Sequence, residues 1–214
     1  MTKINELTSL LNKVYQKETP SKTRQKKVLE LAEKIRKRVE AEVVRFGVEA
    51  EVRIEGSVAK DTWLKDEVDI DVFMLAPETV EREKLVSLYM NVARASVKDF
   101  HWIERYAEHP YIEAFVGEGI KINIVPCYRV VPPNWKTATD RTPYHTEYVK
   151  SHLKEEQKKE VRILKRFMKS IGVYGADIKT GGFSGYLTEL LVIRYGSFSK
   201  VLSAASMWKV GEIV

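Results

Sequence analysis

The sequence reads Gly56-Ser57-Val58-Ala59-Lys60 and, after a short gap, Val68-Asp69-Ile70-Asp71-Val72. Hydrophobic residues alternate with polar ones just before the first stretch, over residues 48–55, and again over residues 68–74. Alternation with a period of two is typical of half-buried β-strands. We therefore predict a strand, a Gly-Ser turn that opens a short helix, and a second strand that carries the motif Asp-x-Asp.

These residue types suit the binding of phosphate groups and a cation. Gly56 lets the backbone approach a phosphate closely, and the Ser57 hydroxyl can donate to its oxygens together with the N–H groups of the turn. Asp69 and Asp71 are two residues apart on a strand, so both carboxylates project from the same face. Adjacent carboxylates repel each other unless a cation lies between them, and Mg²⁺ with substrate phosphates suits such a pair. The alternative is that Asp-x-Asp is the solvated face of an edge strand.

The rest of the N-terminal part predicts helices and strands around this motif. Helical spacing of apolar residues is found over residues 3–16, 28–46 and 79–98, and Ser21 is placed to cap the second of these helices. Further strands are predicted over residues 102–106, 111–116 and 120–125, with Gly117-Glu118-Gly119 as a hairpin turn and Pro126 as the end of the last strand.

From about residue 140 the periodicity becomes helical. Thr142 is placed to cap a helix with Pro143 in its first turn, and residues 155–171 predict an amphipathic helix. We therefore predict an α+β fold in two domains. Residues 1–140 hold the strands and the helices between them, and residues 141–214 are all-helical.

The composition excludes several classes of protein. The 214 residues are 44% hydrophobic, and no stretch approaches the roughly 18 apolar residues that a membrane helix needs. The single cysteine excludes an internal disulfide and a multi-cysteine zinc site. An apolar signal segment is missing from the N-terminus, so we expect a cytoplasmic location and no membrane partner. The net charge of +6 permits a nucleic-acid or phosphate partner without requiring one.

Six segments, in order along the chain, carry a resemblance to a known family. They are GSVAKDTWL with DIDVF (56–64 and 69–73), RYAEHPY (105–111), IVPCYRV (124–130), DRTPYHTEYV (140–149), EVRILKRFMKSIGVYGA (160–176) and GGFSGYLTELL (181–191). From Val52 onward the chain resembles the class I, archaeal-type CCA-adding tRNA nucleotidyltransferases of the polymerase-β-type superfamily. Gly-Ser with Asp-x-Asp is specific only to the superfamily, whereas the ordered set of six is specific to the family.

The resemblance implies both an architecture and an activity. Residues 1–140 correspond to the nucleotidyltransferase head, which implies a mixed β-sheet flanked by helices, and residues 141–214 correspond to the start of an all-helical neck. The family adds C, C and A to the 3′ end of tRNA from CTP and ATP, without a nucleic-acid template and with two Mg²⁺ ions. Carried over by position, Asp69 and Asp71 hold metal. The nucleotide-binding positions are Gly56, Ser57, Lys60, Thr142, His145, Lys165 and Tyr174, and Lys60 stands where many members have Arg.

Four of these positions also have a purely structural interpretation. Lys165 lies beside other basic residues of its predicted helix, and a solvated basic face gives the same pattern. His145 and Tyr174 are as consistent with core packing as with a binding site, and Thr142 is consistent with a helix cap. The residues by themselves leave these alternatives open.

The chain departs from the family at the third catalytic carboxylate, where Asn123 stands. The family sequence at this position is V-D-V-V-P-C, whereas this chain has I-N-I-V-P-C (122–127). Because Ile122 and Ile124 point inward, Asn123 is predicted on the opposite face, with the acids. An amide oxygen ligates metal weakly and cannot accept the proton of an acceptor hydroxyl, so we expect impaired catalysis. The substitution is either engineered or natural, and the sequence does not separate the two.

Two alternatives stand beside an impaired CCA-adding enzyme. An inactive nucleotide- or RNA-binding paralogue, or a subunit that needs a partner, retains the same binding residues. An oligoadenylate- or poly(A)-type enzyme belongs to the same superfamily, but the segments DRTPYH and GVYGA argue against it. Family members are also about twice as long, and the half that grips tRNA is expected to be missing. Binding of the tRNA 3′ end is therefore expected to be weak, and the sequence does not indicate an oligomeric state.

Overall fold

A computed structural model describes residues 3–106, 110–177, 179–211 and 213, which excludes residues 107–109 of the RYAEHPY segment. The chain divides into two compact units: a sheet unit, Pro20–Thr146, and a terminal unit that joins Met1–Thr19 to Glu147–Val214. This division differs from the sequence-based one, which placed the first helix, α1 (Lys3–Glu18), with the N-terminal domain. The reason is hydrophobic packing, because apolar side chains of α1 contact the core formed by the C-terminal segment.

In its described residues, the sheet unit contains five strands and several helices. The strands are β1 (Glu51–Glu55), β2 (Val68–Pro77), β3 (His101–Tyr106), β4 (Pro110–Gly117) and β5 (Ile120–Arg129). The helices are α2 (Lys22–Arg45), α3 (Gly56–Lys60), α4 (Arg82–Lys84), α5 (Met90–Ser96) and the first part of α6 (Thr142–His152). Ser21 caps α2 as predicted, since its hydroxyl accepts the N–H of Arg24 at 3.2 Å.

The sheet is mixed, which confirms the prediction. Its strand order is β1-β2-β5-β4-β3, with β2 parallel to β5 and every other pair antiparallel. The prediction that Pro126 ends the last strand was wrong, because β5 continues to Arg129. A proline removes only one N–H from a ladder, and parallel pairing with β2 extends on both sides of it.

The continuous helix predicted over residues 79–98 is interrupted. A π-turn at Leu85–Tyr89 separates α4 from α5, which ends at Ser96. Leu85, Tyr89 and Met90 are all buried, and the wider turn lets these neighbouring side chains reach the core together. Tyr89 also donates its hydroxyl to the carbonyl of Glu49 at 2.6 Å.

One face of the sheet carries the main apolar core. Alternate residues of the central strands pack there against the buried stripe of α2; they include Ile70, Val72, Ile122 and Ile124 from the strands, and Val28, Ala32, Ile35, Val39 and Val43 from the helix. Because strand side chains alternate between faces, the residues in between project from the other face. That second face carries the candidate site.

The terminal unit contains α1, the rest of α6 and three further helices. These are α7 (Lys158–Ser170), α8 (Gly185–Tyr195) and α9 (Phe198–Ala205). An isolated parallel bridge between Tyr174 and Phe183 adds an extended element in the connection from α7 to α8. Within the described residues, no helix combines the length and the apolar content that a membrane crossing requires.

Candidate active site

The Gly-Ser turn joins β1 directly to α3 and lies against β2. Gly56 has φ +69°, a left-handed conformation that side chains with a Cβ rarely adopt. A Cβ on Gly56 would lie 2.0 Å from Oδ2 of Asp71, well inside any allowed contact. Glycine is therefore required here for two independent reasons, the backbone conformation and the approach of the Asp71 carboxylate.

Gly56→Ala is expected to destabilise the protein by about 1–3 kcal/mol, because it combines a left-handed alanine with a steric collision. It is also expected to displace the Asp71 carboxylate and so to weaken nucleotide binding. Gly47→Ala is the matched control, since Gly47 has φ +63° but nothing within 4 Å of the added Cβ. Urea unfolding of both variants measures the difference, and equal destabilisation would show that the contact with Asp71 is unimportant.

The two carboxylates of Asp-x-Asp lie on the interior strand β2, between β1 and β5. The alternative that they mark an edge strand is therefore contradicted. Asp69 is exposed, whereas Asp71 is half-buried between Gly56 and β5. Both side chains project from the same face, as predicted from their spacing.

Asn123 lies beside Asp71, on the face predicted for it. The two residues are register partners in the parallel ladder, and the Asn123 Nδ2 donates to Oδ1 of Asp71 at 2.8 Å. The Oδ1 of Asn123 is buried and has no hydrogen-bond partner among the described residues. The neighbouring carboxylate fixes this orientation of the amide, because the flipped amide would bring two acceptor oxygens together.

The surroundings of Asp71 disfavour its charged form. Burial raises the pKa of Asp71 to about 7; the hydrogen bond from Asn123 acts in the opposite direction, and the negative charge of Asp69 adds to the rise. The positive charge of Lys60 lowers the same pKa, which places this buried lysine within electrostatic reach of the acids. At neutral pH, either a bound proton or a nearby cation is therefore needed to offset the negative charge of the Asp71 carboxylate.

Further charged residues extend the row of Asp71 and Asn123 across the sheet. Glu55 is the register partner of Asp71 on β1, is fully buried, and pairs with Arg53 at 2.8 Å. Glu113 is the register partner of Asn123 on β4 and pairs with Arg105 at 2.8 Å. The sequence did not identify these buried acids: alternation assigned Glu55 to the polar face of its strand, and Glu113 was not singled out.

Thr142 and His145 belong to α6, in the part that lies within the sheet unit. Both are half-buried. The prediction that Thr142 caps its helix was wrong, because Thr142 has helical dihedral angles and follows a 3-10 turn at Ala138–Arg141. The capping role falls to Thr137, upstream of that turn, with the fully buried Asp140.

Asp140 is a residue whose structural role the sequence reasoning missed. Its carboxylate accepts the backbone N–H of Tyr128 at 2.8 Å, of Lys136 at 2.9 Å and of Thr137 at 2.7 Å. It thereby ties the loop after β5 to the start of α6. An Asp three residues after a Thr is the signal of a capping box, and it precedes the segment that holds Thr142 and His145.

Lys165 and Tyr174 lie in the terminal unit. Lys165 is only 3% exposed, so the alternative of a solvated basic face is contradicted. Its Nζ lies 3.6 Å from the carboxylate of the fully buried Glu189. A Cβ added to Gly185 would lie 3.0 Å from the Tyr174 hydroxyl and 3.9 Å from Lys165 Nζ, so the start of α8 brings these two groups close together.

Most of the predicted residues thus fall into two local groups, one in each unit, and Ser57, Thr142 and His145 are not among them. In the sheet unit, Gly56, Asp71 and Asn123 are in direct contact, and Asp69 and Lys60 are close to them. No cluster of three or more His, Cys, Asp or Glu side chains in the described parts of the chain is arranged to hold a metal ion. Two carboxylates nevertheless suit Mg²⁺, which keeps water and substrate phosphates as its other ligands. At the position of the third carboxylate, the Asn123 side chain donates a hydrogen bond to Asp71. A carboxylate there would present a lone pair instead.

Two family profiles match the chain. The nucleotidyltransferase domain matches residues 31–145, and the second domain of tRNA nucleotidyltransferase matches residues 159–214. The first match covers more than half of the chain and includes the Gly-Ser turn, Asp-x-Asp and Asn123. The chain therefore belongs to the nucleotidyltransferase domain family.

Comparison with curated relatives shows similarity to a more specific group within this family. The chain is 48% identical over 187 residues to the CCA-adding enzyme of Saccharolobus shibatae, a match that covers 86% of this chain and 45% of that one. It is 41% identical over 208 residues to the CCA-adding enzyme of Pyrobaculum islandicum, which covers 96% and 49%. The resemblance to archaeal-type CCA-adding nucleotidyltransferases is confirmed. The chain spans about half the length of these curated relatives.

Solved structures share the fold at much lower identity. A crystal structure of the Cid1 poly(U) polymerase superposes with a TM-score of 0.66 at 18% identity, over 89% of this chain and 55% of that one. The GLD-2/RNP-8 complex superposes with a TM-score of 0.65 at 13% identity, over 91% and 56%. At such identities the comparison establishes the fold alone.

Proposed function

We propose that this chain is the catalytic part of a Mg²⁺-dependent nucleotidyltransferase that adds C and A nucleotides, from CTP and ATP, to the 3′ end of tRNA without a template. The observation that carries the proposal is the contact of Gly56 with Asp71 on a strand that also bears Asp69. The similarity to CCA-adding enzymes supplies the substrate class. Catalysis is slow in this chain because Asn123 stands at the third carboxylate position.

The triphosphate binds at the Gly-Ser turn. Gly56 leaves space for the close approach of a phosphate, the Ser57 hydroxyl donates to its oxygens, and Lys60 supplies positive charge. The resemblance also assigns nucleotide binding to Thr142 and His145 of α6 and, within the terminal unit, to Lys165 and Tyr174. These four assignments follow the family resemblance alone.

Asp69 and Asp71 hold the metal ion. A bound divalent cation supplies neutralisation of the phosphate charge that develops during transfer. Holding a cation there would also offset the cost of the negative charge on Asp71, because burial raises the pKa of this carboxyl despite the hydrogen bond from Asn123 and the charge of Lys60. The side chains themselves orient the phosphates and keep the acids on one face of the sheet.

Asn123 cannot take the proton of the acceptor hydroxyl. Its Nδ2 donates to Asp71, and an amide has no basic lone pair at neutral pH. This hydrogen bond is also the observation that favours a second candidate function, an inactive nucleotide- or RNA-binding paralogue or a subunit that needs a partner. In that case the same residues bind the nucleotide, and transfer requires a group from elsewhere.

Thermal unfolding with nucleotides tests the proposal. ATP and CTP are each expected to raise the Tm, and more strongly with Mg²⁺, because the triphosphate and the two acids share the cation. A nucleotide concentration one hundred times the Kd contributes about 2.7 kcal/mol, or roughly 5–10 °C for a chain of this size. AMP with Mg²⁺ is the control and should give little shift. No shift with millimolar Mg²⁺-ATP or Mg²⁺-CTP contradicts the assignment of the site.

A further inference from the structure

Two buried side chains of opposite charge face each other inside the terminal unit. Lys165 of α7 is 3% exposed and Glu189 of α8 is fully enclosed, and the Lys165 Nζ lies 3.6 Å from Oε1 of Glu189. Burial of an isolated charge is strongly disfavoured, because the charge loses its water and gains no partner in return. The two charges therefore offset the cost of each other's burial.

Helix packing fixes the position of the Glu189 carboxylate. α7 and α8 contribute Met168 and Val192 to one apolar core, and the hydroxyl of Thr188, next to Glu189, donates to Met168 Sδ at 3.5 Å. A lysine ammonium group is carried on a flexible four-carbon stem, so the stem alone does not define where the charge lies. The shorter, fully enclosed glutamate supplies the fixed point to which the Lys165 ammonium group is drawn.

Gly185, at the start of α8, leaves a space next to this ammonium group. An added Cβ would lie 3.9 Å from Lys165 Nζ and 3.0 Å from the Tyr174 hydroxyl oxygen. The backbone of Gly185 is not left-handed, so its conformation does not require glycine. The missing side chain instead keeps open a space that the ammonium group and the phenolic hydroxyl both border. Both groups can donate hydrogen bonds, which suits an anionic ligand.

Pairing with a carboxylate does not prevent a lysine from binding phosphate. In protein kinases, one lysine contacts the phosphates of ATP while it pairs with a glutamate from a neighbouring helix, and this pair must be in place for phosphoryl transfer. The carboxylate holds the ammonium group where the phosphates need it. The terminal unit contains the same chemical pair, with the lysine on α7 and the glutamate on α8.

We propose that Glu189 is a positioning residue for nucleotide binding, which holds the Lys165 ammonium group beside the space at Gly185, where the triphosphate accepts its hydrogen bond. The proposal rests on the proposed nucleotidyltransferase function and on the assignment of Lys165 to the triphosphate. Glu189 does not contact the nucleotide itself, because a carboxylate and a phosphate repel each other. Without Glu189, Lys165 is still present but is no longer directed to the phosphates.

A double-mutant cycle on nucleotide affinity tests this role. The Kd of Mg²⁺-ATP is measured by isothermal titration calorimetry for the full chain, for Glu189→Gln, for Lys165→Gln and for the double variant. Each single variant is expected to raise the Kd about tenfold, the effect of losing one charge-assisted hydrogen bond. The double variant should bind as Lys165→Gln does, because Glu189 acts only through Lys165, whereas two independent effects would multiply to about a hundredfold.

Two further variants separate positioning from a structural role. Glu18→Gln is the matched control, because Glu18 is 4% exposed and pairs with Arg166 of the same helix α7 at 2.5 Å. It should lower the Tm and leave the Kd unchanged. Glu189→Asp serves if Glu189→Gln does not fold, since it keeps the charge and withdraws the carboxylate by one methylene group. It should raise the Kd by itself and have no effect in the Lys165→Gln background.

The outcomes distinguish this role from the function on which it rests. Losses that multiply in the double variant, an unchanged Kd in the folded Glu189 variants, or an equal loss in Glu18→Gln overturns the positioning role alone. An unchanged Kd in Lys165→Gln overturns this role together with the assignment of Lys165, and the proposed function stands. If the unaltered protein does not bind Mg²⁺-ATP, the proposed function itself is overturned.

Discussion

Asn123→Asp is expected to raise the rate of nucleotide incorporation onto an RNA 3′ hydroxyl by about 10²–10⁴-fold, the range typical of a general base. The change is nearly isosteric, so the strand geometry should persist. It replaces the amide that donates to Asp71 at 2.8 Å with a carboxylate that can ligate a cation and accept a proton. Primer extension with CTP, on a minihelix that ends before CCA, measures the gain.

Two further variants serve as controls for this gain. Asn91→Asp makes the same chemical change on the exposed side of α5 and should leave the rate unaltered. Asp71→Asn in the Asn123→Asp background should abolish the recovered activity. If the Asn123→Asp protein binds Mg²⁺-NTP but remains inert, Asn123 is not the deficit. The inactive paralogue, or the subunit that needs a partner, then becomes the better description.

Asp71→Asn alone is expected to raise the Tm of the metal-free protein at pH 8 by roughly 2–6 °C while removing the Mg²⁺-dependent part of nucleotide stabilisation. Burial raises the pKa of Asp71 to about 7 in the folded protein, whereas an unfolded Asp titrates near 4. Between these values the folded state binds the extra proton, so stability falls as pH rises from about 4 to about 7 and the loss is complete above about 7. The neutral amide of the variant avoids this loss.

The pH dependence is the decisive part of this prediction. The difference in Tm between the variant and the unaltered protein should be small below about pH 4 and should reach its maximum above pH 7. Asp99→Asn is the matched control of opposite sign, because pairing with Arg38 holds the pKa of the exposed Asp99 below its usual value. That substitution should lower the Tm slightly or not at all. A Tm difference for Asp71→Asn that is the same at pH 5 and pH 8 contradicts the assigned pKa.

Much of the candidate site could be predicted from local pattern. The alternation around Asp69, Asp71 and Asn123 placed all three on one face, because side-chain direction along a strand depends only on residue parity. Gly56 is predicted to let the backbone approach a phosphate, and the structure shows a second close approach there, that of the Asp71 carboxylate. Lys60 was assigned to the site from motif position, and the structure places it within electrostatic reach of Asp71.

Other features depended on strand order, which local pattern does not contain. Phe115 and Lys121 belong to a predicted hairpin, but only the pairing of β5 with both β2 and β4 aligns them with Asp69. The same pairing places Glu113 beside Asn123. Residues that are distant along the chain become neighbours through register, and register is fixed by packing of the whole sheet.

The sequence by itself thus predicted the strands around the motif, the Gly-Ser turn and the shared face of the acids, and the family resemblance added the mixed sheet and the missing third carboxylate. Only the tertiary structure decided which charges are buried. Glu55, Lys165 and Glu189 are polar positions in amphipathic segments, and each is almost completely enclosed. An amphipathic pattern predicts one buried face for each element and places the charged residues on its solvent-exposed face. Whether a second element covers that polar face, and supplies the opposite charge that burial requires, is settled only when the elements pack.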